Sequence, residues 1–243
     1  MLSFFKKKTQ DKQPVEKKVY VIIPAAGSSS RMGKDKLIME LCGRPVLWHT
    51  LQVFESCDCI DGIVLVCRKI DQKKYAQLCA DWGIEKVVSI VEGGATREHS
   101  VLNGVLACGK EVGYVAIHDA ARPLVTKQVI TSAVEQAKKD SAAAPSVPVK
   151  DSIQKIKNGK MMQNVAREQI VAVQTPQCFD IDLIRAALTK AIDSGAAITD
   201  DCGAVTALGQ PISMTMGSYE NIKITTPEDI LIGEAILKGR AMK

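Results

Sequence analysis

The chain has 243 residues, 46% of them hydrophobic, and a formal charge of +5. Six lysines against Asp11 and Glu16 in residues 1–18 hold most of that excess, which excludes a broad face tracking nucleic acid and leaves room only for a local basic pocket. The length suits one α/β domain that buries its own core without disulfides or a structural metal.

Met1-Leu-Ser-Phe-Phe5 precedes Lys6-Lys-Lys8, and an apolar run this short is neither a signal peptide nor a membrane span. Residues 1–18 are therefore expected to be a solvated basic tail, followed by a single domain over 19–243. From Lys18 onward, β-branched runs alternate with helical patterns, as in a parallel sheet wrapped by helices. Strands are expected at Val19 to Ile23, Ile63 to Cys67, Lys86 to Val91, Tyr114 to His118 and Ala142 to Val149. Helices fall between them at Val46 to Glu55, Asp71 to Trp82, Arg97 to Ala107 and Thr126 to Lys139, each long enough for a crossover.

After Val149 the rhythm breaks. Lys150 to Arg167 is polar and lysine-rich, with an Asn158-Gly159 turn between two alternating stretches, which predicts a β-hairpin arm. A two-stranded arm is marginal alone in water and must pack on something. Helices are then expected at Ile181 to Ser194 and Asp200 to Leu208, and strands at Ile212 to Met216 and Ile222 to Thr225. A last helix opens with Thr226 as N-cap and Pro227 at its first position. The eight cysteines include no CxxC, and Cys57-Asp-Cys59 has no neighbouring cluster to complete a zinc site, so they read as reduced thiols of a cytoplasmic protein.

The chemistry concentrates where the first strand runs into Pro24-Ala-Ala-Gly-Ser-Ser-Ser-Arg31-Met-Gly33. Small side chains there let backbone amides approach an anion, while Arg31 and Lys36 add a fork and a point charge at the strand's C-terminal edge. The loop matches neither the dinucleotide-fold glycine pattern nor the P-loop, so by itself it marks only a polyphosphate site.

Several ordered segments then resemble one family. Ala25-Ala-Gly27, Arg31-Met-Gly33, Lys36 and Gly43-Arg-Pro45 are similar to the signature of sugar-nucleotide pyrophosphorylases and their cytidylyltransferase cousins. Gly93-Gly94 with Arg97 and Ser100, His118-Asp-Ala-Ala-Arg-Pro123, Pro148-Val-Lys-Asp-Ser152, Thr175-Pro-Gln177, Ile198-Thr-Asp200 and Asn221-Ile-Lys223 narrow the resemblance to the 2-C-methyl-D-erythritol 4-phosphate cytidylyltransferase family.

That resemblance implies a Rossmann-like, mostly parallel sheet flanked by helices, with the arm at 148–169 protruding to make a homodimer. It implies transfer of CMP from CTP to methylerythritol phosphate, with Mg²⁺ or another divalent cation bridging phosphates. By similarity, Lys36, Arg31 and Lys223 are the catalytic cations. Pro24, Ala25, Ala26, Gly27, Ser28, Gly94, Ala95, Ser100, Asp119 and Ala120 join Arg31 and Lys36 around CTP, and Asp119 is matched to the ribose or the metal. Ser152, Arg167, Thr175, Thr199, Glu220 and Lys223 are matched to the second substrate, with Ser152 and Arg167 delivered by a partner's arm. His118 and His49 read as structural, since an anionic phosphate nucleophile needs no base. No nucleic-acid or membrane partner is implied. A ribitol 5-phosphate cytidylyltransferase is the alternative of the same fold, and a non-catalytic nucleotide-binding scaffold the alternative of another class.

Overall fold

Val19 to Ile23 is apolar at every position and buried on both sides, as a central strand of a parallel sheet requires. The computed structural model describes residues 17–27 and 36–242. Ser28 and Arg31, and the expected tail up to residue 16, lie outside the described residues.

In chain order, β1 (Lys18–Pro24) precedes a small hairpin of β2 (Glu40–Leu41) and β3 (Arg44–Pro45), then α1 (Val46–Glu55), β4 (Gly62–Cys67), α2 (Gln72–Asp81) and β5 (Val87–Glu92). Next come α3 (Arg97–Leu106), β6 (Val112–Ile117), α4 (Lys127–Asp140) and β7 (Ala142–Pro148). The chain continues through β8 (Ile153–Lys157), β9 (Lys160–Val165), β10 (Val171–Val173), β11 (Gln177–Asp180), α5 (Ile181–Ser194), α6 (Asp201–Thr206), β12 (Ser213–Met216) and α7 (Pro227–Ala241).

Strands β6, β1, β4 and β5 lie side by side and parallel. Antiparallel β11 joins β6 to β7. The β10 strand continues the path of β11 along β7, and β12 pairs parallel to β7. The sheet is thus mostly parallel, with an antiparallel insertion that periodicity did not show.

Alternation along β1 sends Val19, Val21 and Ile23 into one core and Tyr20 and Ile22 into the other. The first core takes Leu47, Leu51 and Phe54 of α1 and Ile130, Ala133 and Val134 of α4. The second takes Val101 and Val105 of α3 and Ile184 and Leu188 of α5. Each fully buried Leu, Ile or Phe contributes about 2 kcal/mol of apolar transfer. At Gly104 an added Cβ would come 2.5 Å from Ile22 Cγ2, so helix α3 needs glycine to sit this close to the sheet.

The expected hairpin forms as β8 and β9, turned by Asn158 (φ 51°) and Gly159 (φ 74°), both in the left-handed region that a two-residue hairpin turn demands. The strand expected at Ile222 to Thr225 does not form. Instead of a ladder, this segment makes two isolated backbone bonds, Ile222 N to Glu220 O and Ile224 N to Ala121 O, each at 2.8 Å, and plugs the fully buried Ile224 into the core below the loop after β6. Its apolar alternation serves burial in an extended connection that leads into α7, whose first turn is held by Asp229 Oδ2 accepting from Thr225 N and Thr226 N.

Candidate active site

The C-terminal ends of β1, β5 and β6 open into one cavity of about 460 Å³, the edge of a parallel sheet at which α/β folds bind ligands. Beyond β1, Ala25 N donates to Val66 O, which keeps Pro24, Ala25, Ala26 and Gly27 running along the neighbouring strand into the cavity wall. Beyond β5, Gly93 N donates to Cys67 O, and Gly94, Ala95, Thr96 and Arg97 form the opposite wall. An added Cβ at Gly93 would lie 2.7 Å from Ala26 Cβ, so the two phosphate-sized loops can approach only because this residue is glycine.

Beyond β6 come Asp119, Ala120 and Ala121, and from the connection ahead of α7 comes Lys223. Asp119 is the acidic residue of the described lining, facing Lys36, Arg97 and Lys223. Its Oδ2 sits 3.0 Å from Lys223 Nζ and 3.3 Å from Arg122 Nε. Burial alone would raise the Asp119 pKa, but the Lys223 ammonium, with Arg122 and Arg97 behind it, holds it down at about 2. Lys36 Nζ donates to Ile224 O, which brings its ammonium beside the residue next to Lys223.

Arg97, at the first position of α3, reaches Asp201 with two bonds of 2.9 and 2.6 Å. Asp201 is fully buried, and the fork fixes the guanidinium in the wall. The sequence motif around Arg97 gave it no role; its place directly after a glycine loop at a helix N-terminus was the available signal. Asp200 caps α6 by accepting from Gly203 N, and its other oxygen takes Gln177 Nε2.

Asp119 is set in place by a buried relay. Its amide donates to Thr175 Oγ1, Thr175 Oγ1 lies 3.0 Å from His118 Nδ1, and His118 Nε2 lies 3.1 Å from Arg122 O. A carbonyl only accepts, so Nε2 carries the proton and Nδ1 accepts from the Thr175 hydroxyl. Full burial pushes the His118 pKa down to about 4, keeping the ring neutral. His49 Nε2 is likewise bound to Leu41 O. The side-chain amide of fully buried Asn221 donates to Gln174 Oε1 and Thr175 O, and its backbone carbonyl accepts from Arg122 Nη1 at 2.7 Å.

Of the residues matched to CTP, Pro24, Ala25, Ala26, Gly27, Lys36, Gly94, Ala95, Ser100, Asp119 and Ala120 line the cavity. The Ser100 hydroxyl accepts from Gly94 N and donates to Thr96 O, so it shapes the loop as well as facing the space. Of those matched to the second substrate, Lys223 alone lines it. Thr175 is buried in the relay behind Asp119, Thr199 is exposed ahead of α6, and Glu220 Oε2 pairs with Arg240 Nε at 2.9 Å. Ser152 is exposed at the foot of the arm, where Arg167 Nη1 donates to Lys150 O.

Among the described residues no group of three or more His, Cys, Asp or Glu side chains gathers at metal-binding distance. Asp119 offers one carboxylate to the cavity. Mg²⁺ commonly takes one or two carboxylates and completes its shell with substrate phosphates and water, so the donor set fits a cation that arrives with a nucleotide.

A model of the family described as 2-C-methyl-D-erythritol 4-phosphate cytidylyltransferase matches residues 19–239. The protein of that name from Halalkalibacterium halodurans is 43% identical over 219 residues, covering 89% of this chain and 96% of the relative. Its counterpart from Bacillus velezensis is 42% identical over 224 residues, covering 91% and 96%. The solved 4-diphosphocytidyl-2C-methyl-D-erythritol synthase of Anaerococcus prevotii superposes with a TM-score of 0.81 at 31% identity, covering 91% of this chain and 99% of that one.

Proposed function

The chain belongs to the 2-C-methyl-D-erythritol 4-phosphate cytidylyltransferase family, and from that premise we propose how its residues divide the work of the transfer. The enzyme passes a cytidylyl group from CTP to methylerythritol phosphate in the non-mevalonate isoprenoid route. In this reaction a phosphate oxygen of the second substrate attacks the α-phosphorus of CTP, a new P–O–P bond forms, and the bond to the departing pyrophosphate breaks. The nucleophile is already anionic, so positioning and charge stabilisation carry the rate.

The observation that carries the residue assignment is the convergence of Lys36, Lys223 and Arg97 on a cavity whose described lining holds Asp119 as its acid. In our reading Lys36, with Arg31, holds the triphosphate, and Lys223 meets the α-phosphate as negative charge builds. Asp119 keeps the Lys223 ammonium aimed into the cavity. Gly94, Ala95 and Ser100 form the edge that reads cytosine, with Pro24 to Ser28 and Ala120 completing the wall. A divalent cation, Mg²⁺ for preference, would be held by Asp119 and the CTP phosphates, and would neutralise their charge.

Ser152 and Arg167 stand outside this cavity, and the two-stranded arm carries exposed Ile156 (74%), Met161 (79%) and Met162 (62%). A two-stranded ribbon that exposes these apolar side chains among its lysines is marginal without a partner. We assign it to a homodimer contact in which each arm brings Ser152 and Arg167 to the other subunit's second-substrate site, with Thr175, Thr199 and Glu220 shaping that side. Among the described residues no helix is long and apolar enough to cross a membrane, and the eight cysteines are free thiols. The free thiols support a cytoplasmic location.

Pyrophosphate release tests the reading. With Mg²⁺ it should require CTP rather than UTP, ATP or GTP, and methylerythritol phosphate rather than ribitol 5-phosphate. Release with ribitol 5-phosphate alone would overturn the substrate assignment, and undiminished release in both Lys36→Ala and Lys223→Ala would overturn the residue roles.

A further inference from the structure

We propose that Cys57 and Cys59 form a reactive dithiol, separate from the substrate cavity, that a peroxide converts into an intramolecular disulfide. The chain leaves α1 into a turn closed by Ile60 N donating to Cys57 O at 3.1 Å. Cys57 and Cys59 occupy its first and third positions, which brings Sγ to Sγ at 3.5 Å. A disulfide bond is about 2.0 Å long, so the two sulfurs have roughly 1.5 Å to close.

The surroundings make one sulfur the nucleophile and the other the resolving thiol. Cys57 is drawn below the ordinary thiol range, first by the hydrogen bond from Cys59 and then, against its burial, by Thr131 and the Lys86 ammonium. Lys86 Nζ is held there by its bond to Cys57 O at 2.9 Å. Cys59 is pushed up, by its hydrogen bond to Cys57 and by burial, and so keeps its proton. Cys59 is partly exposed while Cys57 is 1% exposed, an arrangement that favours an oxidant hardly larger than water.

The rest of the thiols lack this pairing. Burial raises Cys67, Cys79, Cys108, Cys178 and Cys202, while Cys42 is exposed with its Sγ toward Glu234 O at 4.0 Å. The turn also leads into Asp61, whose carboxylate accepts from Val19 N at 2.8 Å. It therefore sits at the opening end of β1, whereas Pro24 at the other end borders the cavity.

In the reaction the Cys57 thiolate attacks a peroxide oxygen, the O–O bond breaks, and sulfenic acid and hydroxide form. The Cys59 thiol then displaces the sulfenic hydroxyl as water and closes the S–S bond. Two thiols are oxidised, one hydrogen peroxide is reduced, and two waters result.

The test treats the full chain with hydrogen peroxide, alkylates the remaining thiols and maps the chymotryptic peptide spanning residues 55–65, which carries these two cysteines and no other. The expected peptide is lighter by two hydrogens, takes up no alkylating reagent, and regains both thiols after dithiothreitol. In Cys59→Ser, whose hydroxyl preserves the hydrogen bond, Cys57 should stop at a sulfenic acid trapped by dimedone. Alkylation of both cysteines at peroxide levels that oxidise Cys42, or a disulfide from either to a different cysteine, would overturn the proposal. The wild-type measurement stands whether or not the variant folds.

Discussion

Lys223 Nζ lies 3.0 Å from Asp119 Oδ2, and the same oxygen takes Arg122 Nε at 3.3 Å. The two cations are not equivalent. Arg122 is also tied to Asn221 O, whereas the Lys223 side chain is 42% exposed and faces the cavity. Lys223→Ala should therefore lower kcat by about 100- to 1000-fold, the scale on which losing one transition-state charge partner acts, while the melting temperature stays close to wild type. Steady-state kinetics beside thermal denaturation check this. A drop in melting temperature that accounts for the lost activity would make Lys223 structural.

Arg97 and Asp201 allow a sharper separation of packing from binding. Asp201 is fully buried and receives both Arg97 nitrogens. Replacing one partner of such a pair strands the other, at a cost of about 3–5 kcal/mol. Asp201→Asn should shift the urea midpoint down accordingly and raise the KM for CTP, because the Gly94 to Arg97 wall loses its anchor. An unchanged midpoint would mean that α3 is held without this pair.

How much of this was open to reading from the chain depended on the range of each interaction. Strands β1 and β4 were legible because burial on both faces leaves a continuous apolar run, and the β8–β9 hairpin because Asn158-Gly159 is a turn with only local requirements. The antiparallel strands β10 and β11 were not: Gln177 to Asp180 is a short strand whose partners, Ile117 and Ala142, are distant in sequence. At the site, the small residues of Pro24 to Gly27 with Lys36, and the motifs holding Asp119 and Lys223, pointed to residues that line one cavity. Nothing local tells that Arg97 pairs with Asp201, or that Thr175 stands behind Asp119 rather than in the cavity wall.

Arg167 belongs to the arm and Lys36 to the cavity. If arms cross, mixing Arg167→Ala with Lys36→Ala subunits creates heterodimers in which one of the two sites is intact. Each homodimer alone should be nearly inactive. Unfolding and refolding the two variants together should restore about a quarter of wild-type activity, since about half of the dimers are mixed and each carries one good site. Absence of recovery, with mixed dimers demonstrated by differential tagging, would confine each site to one subunit.

His118 is fully buried, and its pKa is about 4 against an ordinary value of 6.5. Between those values the unfolded chain binds a proton at this ring and the folded chain does not, so stability rises with pH through that window and is complete above about 6.5. A shift of this size corresponds to about 3 kcal/mol. Asp119 acts lower: its folded value of about 2 lies below the ordinary 3.8, so its contribution is present above about 3.8 and is lost as pH falls through 2. Urea midpoints measured from pH 7.5 to 4 should therefore fall steeply in wild type. In His118→Gln, which keeps an N–H near Arg122 O but does not titrate, the whole curve should start lower and be much flatter. Thr175→Val removes the hydroxyl that bonds Nδ1 and should weaken CTP binding through the Asp119 amide, leaving the acid slope in place. A wild-type slope that survives in His118→Gln would assign the acid sensitivity to other groups and reduce the relay to packing.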